Sequence, residues 1–212
     1  MSVRREMKTL YFSLFLLFVP TARAQPFSFG VKGGIPLTDY VYTFPTEVHT
    51  HTNPYVVGLD AEARLPLGLS VEADALYRHL NYTAQNCFTP GCIDSKTTAN
   101  NWEFGLLAKC RLGRRRVRPF ADTGLAWDTL TGLRQTTVGE NIFDGTTSVQ
   151  TTSHPAQLNQ RTTPGFVIGG GLDVHVLTFH VSPEIRYTHW ASQQFFLLSN
   201  QSQTEFLVGT SF

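Results

Sequence analysis

The chain has 212 residues, 42% of them apolar, with 17 basic side chains against 16 acidic ones. That balance excludes the basic surface nucleic-acid binding needs, and the length suits one domain. Beyond the N-terminal segment, no apolar run approaches the roughly 20 residues of a membrane-spanning helix.

The N-terminus predicts a secretory signal peptide over residues 1–24. Arg4, Arg5 and Lys8 precede an apolar run at 10–19, and Ala22-Arg23-Ala24 places small residues before the cleavage point. The residue after Ala24 is Gln25 and not Cys, so no lipid anchor is expected. Removing the leader (Arg4, Arg5, Lys8, Arg23 and Glu6) leaves 13 basic and 15 acidic groups, a net charge of −2.

Residues 25–212 then alternate apolar with charged or small residues eight times, the period of a two-faced strand. The first segment, 27–37, sets Phe27, Phe29, Val31 and Ile35 opposite Lys32. In 55–65, Tyr55, Val57, Leu59, Ala61, Ala63 and Leu65 oppose Asp60, Glu62 and Arg64. In 69–82, Val71, Ala73, Ala75 and Tyr77 oppose Glu72, Asp74 and Arg78. In 100–112, Trp102, Phe104, Leu106 and Ala108 oppose Glu103, Lys109 and Arg111, and Cys110 reads as a small residue of the apolar face. In 117–130, Ala121, Thr123, Leu125 and Trp127 oppose Arg118, Asp122 and Asp128. In 164–176, Phe166, Ile168, Leu172 and Val174 oppose Asp173 and His175. In 179–191, Phe179, Val181, Ile185 and Tyr187 oppose His180, Glu184 and Arg186. The last, 203–212, carries Glu205 opposite Phe206, Val208 and Phe212.

Short connections near 66–68, 113–116 and 177–178 alternate with long polar ones near 38–54, 83–99, 131–163 and 192–202. Outer-membrane barrels have short periplasmic turns and long extracellular loops. The expectation is therefore an all-β, eight-stranded, antiparallel up-and-down transmembrane barrel, with periplasmic termini and four extracellular loops. A hairpin within 136–150 would raise the count to ten or extend two strands beyond the membrane. Aromatic residues fall near both strand ends, as two interfacial belts would require. Cys87 and Cys92 flank a Phe-Thr-Pro-Gly turn, which in an oxidising compartment favours a disulfide over free thiols, and no further ligand cluster lies nearby for a metal pair.

On these grounds the chain resembles the small bacterial outer-membrane β-barrels of the OmpA transmembrane-domain and OmpX type. The resemblance covers residues 25–212 as a pattern. Phe206, Val208 and the terminal Phe212 look like the C-terminal signal read by the barrel-assembly machinery, with Thr210 a departure from the usual larger apolar residue. The resemblance implies a monomer surrounded by outer-membrane lipid, lipopolysaccharide among it.

An eight-stranded barrel is only wide enough for side chains to fill. Lys32, Asp60, Glu62, Arg64, Glu72, Asp74, Arg78, Glu103, Lys109, Arg111, Arg118, Asp122, Asp128, Asp173, Glu184, Arg186 and Glu205 are expected to form a charge network that plugs the lumen; a narrow ion path is the sharper alternative. No cofactor, metal or catalytic residue is expected. His49 and His51 alternate in the first loop without a third metal ligand nearby. A rival reading is a barrel hydrolase acting on envelope lipid, similar to the lipid A deacylase PagL. Its Ser two residues after His is here Ala191, and Ser192 falls on the other face from His189.

Overall fold

The segment Val56–Arg64 sets the pattern of the wall. Leu59 is 65% exposed, whereas Asp60 and Glu62, its neighbours on the other face, are buried. In a soluble sheet the apolar face would be the covered one. Along the lower wall the apolar faces turn outward and the charged faces inward, an arrangement that suits lipid outside and polar filling inside. In the computed structural model this sheet closes on itself. The structure describes residues 27–41, 48–50, 52–88, 91–113, 116–141, 145–176, 179–196 and 198–212. The expected signal peptide, His51 and the turn at 177–178 lie outside them.

The strands are β1 (Phe27–Pro36), β2 (Val48–Thr50), β3 (Val56–Arg64), β4 (Leu69–Phe88), β5 (Gly91–Arg111), β6 (Val117–Asn141), β7 (Thr147–Thr152), β8 (Thr162–Val176), β9 (Phe179–Trp190) and β10 (Ser202–Ser211). Eight of them form the wall, in the order β1-β3-β4-β5-β6-β8-β9-β10. The ring closes where β10 pairs antiparallel with β1, through Gly33↔Val208 and Ile35↔Phe206. β2 pairs only with β4, and β7 only with β6, so both lie outside the ring. The β3–β4 connection is a single 3-10 turn, Pro66–Gly68. Leu67 (φ 67°) and Gly68 (φ 80°) take left-handed backbone there, and the Leu65 amide closes the turn on the Leu69 carbonyl at 2.8 Å.

Two segments expected as long polar loops are largely sheet. β4 and β5 stay paired up to Phe88↔Gly91 across 83–99, and β6 continues to Asn141 before returning as β7. Runs rich in Thr, Asn and Gln hide strand periodicity because neither face is apolar, yet β-branched Thr suits the pleated backbone. The result is a blade of β2, β4, β5, β6 and β7 rising beyond the barrel. Cys87 and Cys92 face each other in register on it and are disulfide-bonded. Cys110 is an exposed free thiol on the outer face.

Glycines make room inside. A Cβ on Gly105 would strike the Asp74 carboxylate, and one on Gly165 would lie 2.5 Å from the Trp190 ring. An interior this narrow takes large inward side chains only where the opposing wall has none.

Candidate functional site: a charged lumen under an apolar cap

All seventeen inward charges named from the sequence line the lumen, as ten acids and seven bases. Fourteen are buried, whereas Arg64, Arg111 and Arg118 are partly exposed. They sort into three layers. Nearest the chain termini, Arg111 grips Glu62 with two guanidinium N–H groups (2.6 and 2.5 Å) and donates through Nε to Asp173 at 2.6 Å. Arg118 also donates to Asp173 at 2.8 Å, and His180 Nδ1 lies 2.9 Å from its other oxygen. Arg64 stands at the edge, 3.5 Å from Glu62 with its side chain 30% exposed.

In the middle layer, Lys32 bridges Glu72 and Glu184, the latter at 3.0 Å, while Lys109 reaches the second oxygen of Glu72. Lys109 Nζ also lies 4.3 Å from the centre of the Phe120 ring, a cation–π contact. Arg186, wholly buried, donates to Glu184 at 2.8 Å and pairs with Asp74 at 2.7 Å. With more acids than bases, pairing is uneven. Among the described residues neither oxygen of buried Asp122 has a hydrogen-bond partner, nor has Oδ1 of Asp60.

The third layer joins the lumen to the loops. Arg78 pairs with Glu205 at 3.4 Å and donates to Gln203 at 3.2 Å. Asp128 accepts from Asn101 at 3.3 Å and from the Tyr40 hydroxyl at 3.4 Å. Tyr40 OH also donates to Gln194 of the last loop, and Glu103 sits 3.9 Å from Arg186.

Above this layer the interior turns apolar. Tyr40, Val41 and Phe195 come in from the loops to pack on Leu80, Tyr82, Ala99, Leu130 and Leu133 of the wall. Burial pushes the Tyr82 hydroxyl up to about 12, and burial followed by the Asp128 charge holds Tyr40 well above a phenol's ordinary range. A cavity of about 10 Å³ remains between Tyr40, Asp128, Trp190 and Gln194, room for about one water.

Sequence reasoning missed this cap, although a signal was present. On β4 the apolar residues, buried Leu76 aside, sit at odd positions up to Tyr77 and at even positions (Leu80, Tyr82) beyond it. On β6 the inward face likewise turns apolar after Trp127, with Leu130 and Leu133 buried and Thr131 and Arg134 exposed, the parity shifting by one at an irregularity near Gly132. A strand passing from lipid into water must exchange its apolar face in this way, so the reversal marks the edge of the apolar band.

The proposed hydrolase pair does not assemble. His189 is exposed on the outer face, and its Nδ1 is 3.1 Å from Ser202 Oγ. Ser192 lies in the loop after β9, accepting from Gln160 and 3.2 Å from the Thr163 hydroxyl. Tyr187 donates to the same Ser202 at 3.1 Å. The arrangement repeats on β4, where Tyr77 and His79 share Asn100 at 2.9 and 3.0 Å. Among the described residues no group of three or more His, Cys, Asp or Glu is placed to hold a metal. On β10 Phe206 is exposed and Val208 half-buried on the outer face, and Phe212, just past its end, is exposed.

No family model matches the sequence, and no curated protein matches it. Solved structures do. The outer membrane protein OprG from Pseudomonas aeruginosa is 12% identical with a TM-score of 0.51, covering 88% of this chain and 94% of that one. Neisserial surface protein A is 12% identical with a TM-score of 0.49, covering 88% and 96%. At such identity the likeness to OprG shows the fold alone: this chain has the fold of the small bacterial outer-membrane β-barrels.

Proposed function

We propose that the chain is an integral protein of a bacterial outer membrane, serving envelope structure or surface interaction, with a lumen closed to transport. The observation that carries this is the reversal of faces along one continuous wall. The exposed belt of Phe27, Phe29, Leu59, Phe104, Leu125, Phe166 and Ile185 suits hydrocarbon, while the interior is filled by paired charge and then by the apolar cap. Insertion from the periplasm after removal of residues 1–24, with Phe206, Val208 and Phe212 read by the assembly machinery, places the termini in the periplasm and the blade outside the cell. The blade, held by its disulfide, is the part that reaches other surfaces.

Membrane fractionation with heat-modifiable electrophoresis tests the location. Planar-bilayer recording tests the closed lumen: only leak current is expected, and discrete single-channel steps would favour the ion path. A second reading, a hydrolase of envelope lipid, draws on the His189–Ser202 hydrogen bond, since a nucleophilic Ser needs a base within that reach. Among the described residues no carboxylate is hydrogen-bonded to the His189 ring. Assaying acyl release from lipid A with Ser202→Ala and His189→Ala settles it; release by the parent that both variants abolish would establish the enzyme.

A further inference from the structure

The outer face of the blade continues the lipid-facing wall past Tyr77 and Trp102, and its residues form a grid fixed by strand register. Rising from the Tyr77–Trp102 row, successive rows are His79–Asn100–Thr131, then Asn81–Thr98–Arg134, then Thr83–Lys96–Thr136, then Gln85–Asp94–Val138. The upper two rows line an open groove of about 540 Å³. Lys96 and Arg134 are exposed diagonal neighbours on adjacent strands, and neither has an ion-pair partner among the described residues. Diagonal neighbours on paired strands lie about 7–8 Å apart, within joint reach of one anion for two long cationic side chains. The acids of this face, Asp94 and Glu140, stand one and two rows beyond Lys96, on the side away from the apolar band.

Height identifies the partner. Arg134 and Lys96 lie four and six residues beyond the aromatic row, about 10 to 15 Å higher for strands rising ~3.4 Å per residue at a tilt of ~40°. Side chains pointing outward at that level meet the polar zone of the surrounding leaflet, where lipid phosphates and the first attached sugars lie. A zwitterionic headgroup offers a single phosphate already neighboured by its own cation, whereas a phosphorylated glycolipid supplies uncompensated anion together with hydroxyls. We infer that Lys96 and Arg134 dock a phosphate of an anionic outer-leaflet glycolipid, with its sugar hydroxyls against Thr83, Gln85 and Thr136 in the groove. This rests on the reading of the wall as embedded in the outer membrane.

The test uses the full mature chain refolded into phosphatidylcholine nanodiscs carrying traces of lipopolysaccharide or phosphatidylglycerol. Lipid retained by the barrel is counted by native mass spectrometry. Heat-modifiable electrophoresis first confirms insertion of each variant, so failure of the membrane reading is seen separately. The parent is expected to retain lipopolysaccharide over phosphatidylglycerol, and Lys96→Gln/Arg134→Gln to retain it at least tenfold less. Arg116→Gln, an exposed cation at the short-turn end, is expected to bind as the parent does. Equal retention by the parent and the double variant overturns the inference. So does equal retention of the two lipids, or full displacement by millimolar inorganic phosphate, which would point to free phosphate instead.

Discussion

Arg186 offers the sharpest test of how the lumen is held. Its guanidinium is fully buried, donates to Glu184 at 2.8 Å and pairs with Asp74 at 2.7 Å. Replacing it with Met keeps much of the volume and removes the charge. Breaking one side of a buried pair costs about 3–5 kcal/mol, because the partner left behind is desolvated and unpaired. Two residual contacts hold the figure to the lower part of that range: Lys32 remains 3.0 Å from Glu184 and 3.7 Å from Asp74. Arg186→Met is therefore expected to lose about 3 kcal/mol in urea unfolding from phospholipid vesicles, followed by tryptophan fluorescence. Adding Asp74→Asn removes the stranded charge and should recover part of the loss. Arg64→Met, which removes a side chain 30% exposed from a 3.5 Å pair, should cost less than about 1 kcal/mol. If Arg186→Met unfolds within 1 kcal/mol of the parent, like Arg64→Met, the lumen network does not stabilise the barrel and the reasoning fails.

Gly165→Ala is expected to cost about 1–3 kcal/mol by forcing the Trp190 ring aside, read as a lower temperature for loss of the compact band on electrophoresis. Phe195→Ala should release the last loop from the cap, raising proteolytic cleavage within 192–201 while bilayer conductance stays at leak level, because the charged layers below still fill the lumen. The Tyr82 phenol, at about 12 in the folded chain against an ordinary 10, contributes stability that is whole below pH 10 and lost as pH rises through 12. That amounts to about 3 kcal/mol at two units, and melting at pH 9 and pH 12 should differ less in Tyr82→Phe than in the parent. Reducing Cys87–Cys92, a short closed loop whose constraint on the open hairpin is of order 2 kcal/mol, should speed hydrogen exchange at the blade tip and leave barrel melting unchanged.

Much of this architecture is legible in the order of residues. Period-two alternation separates Leu59 from Asp60 and Phe104 from Glu103, and the rhythm of short and long connections points to a ring of eight strands. A strand's two faces follow from backbone geometry alone, so side and spacing are local properties. The extent of the sheet was less legible: residues 83–88, 91–99 and 131–141 are strand, and their polar composition conceals it because water lies on their outer face and no lipid demands an apolar one.

The local sequence determined which charges enter the lumen, since parity along each strand settles it. Only the tertiary structure decided their partners. Lys109 stands opposite Asp122 in register yet reaches Glu72 on the neighbouring strand, because closing the ring brings several inward side chains within reach and the strongest available pairing is chosen in three dimensions. Likewise His189 and Ser192 are close in sequence, but β9 ends between them, and His189 meets Ser202 across the sheet instead. The cap belongs to the same class: Tyr40 and Phe195 are 155 residues apart, and only a closed barrel brings them to one mouth.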